Sequence, residues 1–278
     1  MKKLIPVFAC ALTFISQTTF ASVERNDIPS CMQSVDNEYV IDNRERELFV
    51  IVDRSMSSSL NASVMKESYQ QIIRFIQPGD RVQIIHFSSL QQDGYTNVSF
   101  KGKTEVPLLS SHRAEIKKSH LKKLDQCLQN QKIYFSNHIG KELKESFQPQ
   151  KATSHSEIVS SLQDISNSIL KNSTAKRKIV LIISDMLENS EFTSFYASGS
   201  VKTIKPNSEL QTVIDNEQLS DFNGADIYVI GTGLLPGGKN YVSSHKISKI
   251  EKFWQLYFSK SNGQLRAFGK PMLLSQFK

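Results

Sequence analysis

Runs of apolar, largely β-branched residues recur along the chain, separated by longer stretches of mixed polarity. The clearest cover residues 48–52, 179–183 and 227–230, and weaker candidates cover residues 82–87 and 264–268. Continuous apolar runs of this length are typical of strands that are buried on both faces of a parallel sheet. Between them, apolar residues recur at helical spacing over residues 60–76, 158–170, 209–216 and 248–259. Strands that alternate with amphipathic helices predict an α/β fold: a doubly wound, mostly parallel sheet with helices on both faces.

Two segments depart from this alternation. Residues 93–107 alternate weakly and contain Gly94 and Gly102, which predicts an antiparallel hairpin and hence one antiparallel edge strand. Residues 112–147 form a long basic segment with helical spacing of its apolar residues. We interpret it as a helical insertion at about residues 110–148.

The first 21 residues have the features of a secretory signal peptide. Two lysines precede an uncharged, apolar run over residues 4–15, and a polar patch ends at Ala21. The alternative is an uncleaved membrane anchor, but the run is shorter than the roughly 20 residues that a spanning helix needs. Cleavage after Ala21 predicts a periplasmic or secreted protein, and the short Lys-Lys leader points to a bacterial source. The mature chain then has a polar N-terminal arm over residues 22–46 and one domain over residues 47–278.

The charge balance is modestly basic. The chain carries 34 Lys plus Arg against 27 Asp plus Glu, a formal charge of +7, which falls to +5 without the two leader lysines. So small an excess gives little support for a polyanionic partner. We interpret Lys117, Lys118, Lys122 and Lys123 as a solvated helix face, because no aromatic side chains interleave with them. We therefore expect no nucleic-acid partner.

The composition excludes a disordered, collagen-like or disulfide-packed chain, since 39% of residues are hydrophobic and there are 12 Gly, 8 Pro and 3 Cys. Removal of the leader takes away Cys10 and leaves Cys31 and Cys127. In an oxidising compartment these two are predicted to form a disulfide that ties the N-terminal arm to a mid-chain helix. Two free, buried thiols are the alternative. The chain has no CxxC motif, which argues against a zinc or redox-active site.

Candidate chemistry lies where two buried strands end. Asp53 and Asp185 each follow such a strand, and the carboxyl ends of parallel strands meet at one rim of the sheet. The first Asp continues as Asp53-Arg54-Ser55-Met56-Ser57, so that a tight loop would direct one carboxylate and two hydroxyls at a common point. These hard oxygen ligands suit Mg²⁺, Mn²⁺ or Ca²⁺ and suit zinc poorly. The sequence thus predicts a divalent-cation site at this rim.

This pattern resembles the von Willebrand factor A (vWA) domain family, whose metal-ion-dependent adhesion site begins with Asp-x-Ser-x-Ser after the first strand. The resemblance covers roughly residues 47–269 and includes the second Asp and the order of strands and helices. It implies that Ser55 and Ser57 ligate the cation directly. It also implies that Asp53 and Asp185 bind it through waters or at longer range. An Asp or Glu carboxylate of a partner protein would then complete the coordination.

The family's third element is a Thr before a helix, usually followed five and six residues later by Ala-Leu. Here Ser156 stands at that spacing before Ser161-Leu162 and is the predicted third hydroxyl ligand. Thr153 and Ser154 are the alternatives for this role. A different interpretation is that Ser154 and Glu157 form a capping box, so that the hydroxyls only start a helix.

A second departure from the family follows the later strand. The family tends to have Asp-Gly there, whereas this chain has Asp185-Met186. A methionine side chain at this position would either narrow the metal rim or cover it.

The predicted function is that of a vWA-like protein-binding module that engages an acidic residue of its partner through the cation. The alternative keeps the fold without the metal, as a structural or assembly subunit of an envelope complex. A third hypothesis gives Asp53 and Asp185 a catalytic Mg²⁺ for phosphoryl hydrolysis, but such sites usually have more direct carboxylates. No GxSxG motif is present, and we interpret His86 as a packed histidine, so we expect no enzymatic activity. The partner, the oligomeric state and any docking to a membrane complex stay open.

Overall fold

The computed structural model describes residues 25–35, 39–40, 45–56, 61–88, 96–148, 156–269, 273 and 277. The predicted signal peptide lies outside these residues, so it stays a prediction. Among the described residues, no helix combines the length and the apolar character that crossing a membrane requires.

Strands and helices alternate along most of the chain. The strands are β1 Arg46–Asp53, β2 Arg81–Phe87, β3 Thr96–Lys103, β4 Arg177–Ile183, β5 Tyr196–Ala197, β6 Ser200–Val201, β7 Ala225–Ile230 and β8 Gly263–Gly269. The helices are α1 Ala62–Phe75, α2 Ser110–Arg113, α3 Lys118–Ser146, α4 Ile158–Ser168, α5 Pro206–Asp215 and α6 Ser244–Lys260. Short 3-10 turns occur at Met32–Ser34 and Leu170–Asn172.

Six strands form one sheet in the order β3-β2-β1-β4-β7-β8, and β5 and β6 form a small separate hairpin. Strands β2, β1, β4, β7 and β8 are mutually parallel, and β3 is antiparallel to β2. This order confirms the predicted doubly wound α/β sheet with one antiparallel edge strand. In place of a hairpin within residues 93–107, the segment supplies a single strand whose partner is β2, because β2 precedes it directly and offers an open edge.

The core consists of two apolar layers, one on each face of the sheet. Along β1, Phe49 and Ile51 face the layer that contains α4, α5 and α6, while Val50 and Val52 face the layer that contains α1 and α3. Successive side chains of a strand point to opposite faces, which is why a fully buried strand has no polar alternation. Trp254 of α6 is fully buried, as its apolar stripe predicts.

The N-terminal arm covers the outer edge of the sheet. The backbone of Asp27 donates to the carbonyl of Lys101 (2.8 Å), and its carboxylate accepts from the Lys101 N–H (2.9 Å). The Lys103 N–H donates to Asn26 Oδ1 (3.0 Å). Edge strands otherwise expose backbone groups that invite pairing with other chains, so the arm protects β3.

A disulfide joins the same arm to α3. Cys31 and Cys127 are bonded, with their Cα atoms 5.7 Å apart and 96 positions apart in the sequence. The structure therefore contains the predicted disulfide and not the two free thiols. Helix α3 has 29 residues. Its N-cap, Lys117, and its lysines at positions 118, 122 and 123 are exposed, as expected for a solvated face.

Candidate functional site

Two neighbouring strands bring the predicted carboxylates to the same rim. Strands β1 and β4 are paired in parallel, with Val52 opposite Ile183. Asp53 ends β1, and Ser184 and Asp185 directly follow β4, so these polar residues emerge side by side. The rim lies at the carboxyl ends of the parallel strands, where open α/β sheets usually bind ligands.

Asp53 is the buried centre of the site. Its side chain has no exposed surface. Asp53 Oδ1 accepts hydrogen bonds from the Ser55 N–H (2.9 Å) and the Ser55 hydroxyl (2.5 Å), and Oδ2 accepts one from the Ser184 hydroxyl (2.8 Å). The Ser184 hydroxyl in turn accepts from the N–H of Met186 (2.9 Å). Both carboxylate oxygens are thus held in fixed directions by the loops after β1 and β4.

The third predicted hydroxyl reaches the same point from a distant part of the chain. Ser156 Oγ lies 3.0 Å from Ser55 Oγ, although the two residues are 101 positions apart. Ser156 is held by two backbone hydrogen bonds with Asn189, one of 3.1 Å from its own N–H and one of 2.9 Å to its own carbonyl. The loop after β4 therefore fixes the position of Ser156.

The start of α4 is capped from the same loop. Glu188 is fully buried, and its Oε2 accepts a hydrogen bond from the N–H of Val159 (2.9 Å). The first helical residue is Ile158, three positions later than a capping box of Ser154 and Glu157 would place it. The capping-box interpretation is therefore wrong, because a glutamate from another loop satisfies the helix terminus instead.

The electrostatics of the rim favour an added cation. Burial raises the pKa of Asp53, and burial together with the nearby charge of Asp53 raises the pKa of Asp185 well above its usual range. Within the described part of the chain, neither carboxylate belongs to a salt bridge. Asp185 Oδ1 accepts a hydrogen bond from the N–H of Leu187 (2.8 Å).

Met186 neither narrows nor covers the rim. Its φ of 59° lies in the left-handed region, which glycine adopts more readily than residues with a side chain. The side chain has no exposed surface and packs in the core layer of α4, α5 and α6. Its carbonyl accepts a hydrogen bond from Trp254 Nε1 (3.0 Å). The methionine thus replaces glycine at the cost of backbone strain and contributes to the core instead.

Several residues near the site escaped the sequence reasoning. Ser184 orients Asp53, Asn189 positions Ser156, and Glu188 caps α4. Tyr196 is close enough that the charges of Asp185 and Asp53 raise its pKa, in addition to the larger effect of burial. The only signal in the sequence for Glu188 and Asn189 was the run of polar residues that follows Asp185 closely. Ser57, Thr153, Ser154 and His155 lie outside the described residues.

The donor set fits a hard divalent cation. Mg²⁺ binds oxygen at about 2.0–2.1 Å in octahedral geometry, so adjacent ligand oxygens lie about 2.9 Å apart. The 3.0 Å separation of the Ser55 and Ser156 hydroxyl oxygens agrees with that spacing. Among the described residues, no group of three or more His, Cys, Asp or Glu side chains could hold a metal ion. A site here would therefore depend on hydroxyls as much as on carboxylates.

No protein-family model matches the chain, and no curated protein matches it in sequence. Several solved structures resemble it weakly. An aerotolerance-related membrane protein from Bacteroides fragilis NCTC 9343 has 12% identity and a TM-score of 0.35, over 81% of this chain and 92% of that one. The protein BatB from Bacteroides thetaiotaomicron has 12% identity and a TM-score of 0.33, over 80% and 90%. The pilus adhesin SpaC from Lactobacillus rhamnosus GG, in its open conformation, has 12% identity and a TM-score of 0.39, over 81% and 28%.

Each of these TM-scores is below 0.5, so none of the likenesses carries an argument about function. The assignment of the fold rests on the order and direction of the strands, which are consistent with a vWA/Rossmann-like architecture.

Proposed function

We propose that this chain is a periplasmic or secreted protein-binding module that uses a divalent cation to bind an acidic residue of a partner. Asp53, Ser55, Ser57, Ser156 and Asp185 would hold the cation. One observation carries the proposal. Ser55 and Ser156 are 101 positions apart in the sequence, yet their hydroxyl oxygens lie 3.0 Å from each other, beside buried Asp53. The two serine hydroxyls and the two carboxyls lie at the carboxyl ends of parallel strands, where open α/β sheets usually bind ligands.

The charges of the rim support the same proposal. Two carboxyls lie close together, and burial makes their negative charges unfavourable. A cation would compensate these charges when bound. Since the chain offers hydroxyls where other sites have carboxylates, the cation would keep enough affinity for an external Asp or Glu. Mg²⁺ is our first choice, with Mn²⁺ and Ca²⁺ as alternatives.

The hydrogen bonds of Asp53 support a second candidate function. Both of its oxygens already have serine hydroxyl donors, so the network is closed by protein groups. This observation favours a metal-independent structural or assembly subunit of an envelope complex. The two candidate functions differ in what Asp53→Ala does. In the first, the substitution would abolish cation binding, on which partner binding depends. In the second, partner binding would survive the substitution.

The test is a calorimetric titration of Mg²⁺, Mn²⁺ and Ca²⁺ into the metal-stripped protein. The site variant carries Asp53→Ala and Ser55→Ala. The matched control carries Asp215→Ala and Ser208→Ala, the same residue types at exposed positions on α5. We expect saturable binding by the wild type and the control and none by the folded site variant. Equal binding by all three proteins, or no saturable binding by the wild type with any of the cations, would contradict the proposal.

We also propose that the chain is not a hydrolase. A catalytic Mg²⁺ for phosphoryl transfer usually has more direct carboxylates than this rim provides, where two serine hydroxyls, from Ser55 and Ser156, lie beside Asp53. Mg²⁺-dependent turnover of simple phosphate esters that is lost in Asp53→Ala would overturn this part of the proposal.

A further inference from the structure

The amino-terminal end of α3 carries four lysines with no partners. Lys117, Lys118, Lys122 and Lys123 are all exposed. Among the described residues, none of their ammonium groups takes part in a hydrogen bond or a salt bridge. We name this group of four the basic tip. It combines a high local charge with full access to solvent.

The protein does not neutralise the basic tip with its own acids. The first turn of α3 contains no acidic residue, and no side chain caps it, although a helix terminus of this polarity favours anions and disfavours cations. The nearby Asp125 is held by both terminal nitrogens of Arg113 at 2.8 and 2.7 Å. Glu115 accepts from the hydroxyl of Tyr39 at 2.6 Å. The neighbouring carboxylates are therefore already engaged.

The basic tip lies at the end of α3 that is remote from the candidate metal site. Near its carboxyl end, α3 places the Ser146 hydroxyl 2.6 Å from His86 Nε2, at the carboxyl end of β2. Further back, Gln131 Oε1 accepts from the N–H of Glu105, just after β3 ends beside the start of β2. Lys118 precedes Gln131 by 13 positions, which is about 20 Å along the helix axis, away from the carboxyl ends of the strands.

An apolar side chain and a groove lie next to the basic tip. Leu109, before α2, is 52% exposed. A shallow groove of about 410 Å³ runs between α2 and α3 and is lined by Arg113, Lys118, Leu121 and Lys122 among others. Leu109 is the N-cap of α2, and the partly exposed Leu121 lines the groove beside Lys118 and Lys122. Lysines beside apolar side chains fit a surface that is anionic outside and apolar just beneath. The disulfide at Cys127, one turn after Lys123, anchors this part of α3 to the N-terminal arm.

We propose that the basic tip docks on the surface of an anionic lipid bilayer. Each lysine near such a surface contributes about 1 kcal/mol, and clusters of four to eight basic residues on a helix are typical of segments that bind anionic lipids. The basic tip contains no aromatic side chain on which bases could stack, which disfavours single-stranded nucleic acid. Docked in this way, the protein directs the carboxyl ends of its parallel strands away from the bilayer. The proposal does not depend on the candidate metal site.

The test is co-sedimentation of the full protein with vesicles of phosphatidylcholine alone and of phosphatidylcholine with phosphatidylglycerol. The tip variant carries Lys→Gln at positions 117, 118, 122 and 123. The control variant carries Lys→Gln at positions 66, 171, 249 and 252, which are exposed, scattered and equal in charge. We expect the wild type and the control to bind the anionic vesicles at low salt. The tip variant should bind at least about tenfold more weakly, and physiological salt should weaken all binding.

Four outcomes would overturn the proposal. In the first, the wild type does not bind anionic vesicles at low salt. In the second, it binds neutral vesicles as well as anionic ones. In the third, the tip and control variants lose binding equally, and in the fourth, the tip variant binds as well as the wild type. Tighter binding of the wild type to a single-stranded oligonucleotide than to the anionic vesicles would assign the basic tip to nucleic acid instead. Far-ultraviolet circular dichroism of the tip variant verifies that α3 is intact.

Discussion

The hydroxyl oxygens of Ser55 and Ser156 lie 3.0 Å apart, and Ser55 at the same time donates to Asp53. Ser55 is placed by the turn after β1, whereas Ser156 is placed by its backbone pair with Asn189. Two independently positioned loops thus present adjacent oxygen atoms at one point. In the proposed cation site, each hydroxyl would contribute little to the affinity for the cation without the other.

The first prediction concerns this pair. Ser156→Ala should weaken Mg²⁺ binding by about tenfold or more, whereas Ser156→Thr should retain it because threonine keeps the hydroxyl. In a double-mutant cycle with Ser55→Ala, the losses should be non-additive, since both residues act on one ion. Calorimetry on the four proteins of the cycle and on Ser156→Thr measures these effects. Additive losses, or full binding by Ser156→Ala, would remove Ser156 from the ligand set.

The second prediction concerns Met186. Met186→Gly would relieve the left-handed backbone, worth about 1–2 kcal/mol, but would delete a buried side chain, which costs about 2–5 kcal/mol. We expect a net loss of about 1–3 kcal/mol in the free energy of unfolding, measured with urea, and an unchanged Mg²⁺ affinity. A clear gain in Mg²⁺ affinity would instead mean that the side chain obstructs the rim.

The third prediction concerns the disulfide. Cys31→Ala with Cys127→Ala removes a cross-link between residues 96 positions apart, so the free energy of unfolding should fall by up to about 4–5 kcal/mol. Urea denaturation of the variant and of the wild type, with and without reductant, measures the loss. Thiol titration of the unfolded, unreduced wild type should find neither cysteine free. Two reactive thiols in that sample would contradict the structure.

The fourth prediction concerns His86 at acidic pH. Burial, with a smaller effect from the charge of Arg54, lowers the pKa of His86 from 6.5 to about 4. Between these values the unfolded chain binds a proton that the folded protein excludes, so stability falls as the pH decreases from about 6.5 to about 4. His86→Gln, which can still bond the Ser146 hydroxyl, should lose less stability over this range. Urea denaturation at pH values on both sides of the range tests this. An equal loss in both proteins would exclude His86 as the cause.

The fifth prediction has the opposite sign and concerns Glu188. Burial raises its pKa from 4.5 to about 8, so the folded state retains a proton that the unfolded chain releases. This contribution to stability is complete below about pH 4.5 and is lost as the pH rises through about 8. Glu188→Gln keeps the acceptor for Val159 and carries no charge, so its stability should exceed that of the wild type above pH 8.

The control for Glu188 is Glu251→Gln, at an exposed position on α6. It should leave the pH dependence of unfolding unchanged. Thermal or urea denaturation of the three proteins on both sides of pH 8 makes the comparison. A Glu188→Gln variant with the same pH profile as the wild type would show that the carboxyl is not buried in the neutral form.

The strands and the sheet were predictable because burial on both faces leaves a direct signature. Residues 48–52 and 179–183 are continuous apolar runs, and both became central parallel strands. The sequence predicted that one edge strand would be antiparallel, but it did not predict that this strand would pair with β2. The weak alternation of residues 93–107 indicates a strand, and Gly102 lies within it, whereas the partner strand depends on which sheet edge remains open.

Half of the candidate site was predictable for a similar reason. Asp53 and Asp185 follow buried strands, and parallel strands end at one rim, so their proximity follows from topology alone. The roles of Ser184, Glu188 and Asn189 were not predictable. Each acts through a hydrogen bond to a residue at least 29 positions away, and no local pattern encodes such a contact.

The sequence by itself determined the elements that repeat a local rule: the buried strands, the amphipathic helices, and the Asp-x-Ser-x-Ser turn after β1. The tertiary structure alone decided how Ser156 is held beside Ser55, where the side chain of Met186 packs, and where the N-terminal arm lies on β3. The physical reason is the range of the interactions. Helix and strand patterns arise between residues a few positions apart, whereas these three outcomes depend on contacts that exist only once distant segments are packed together.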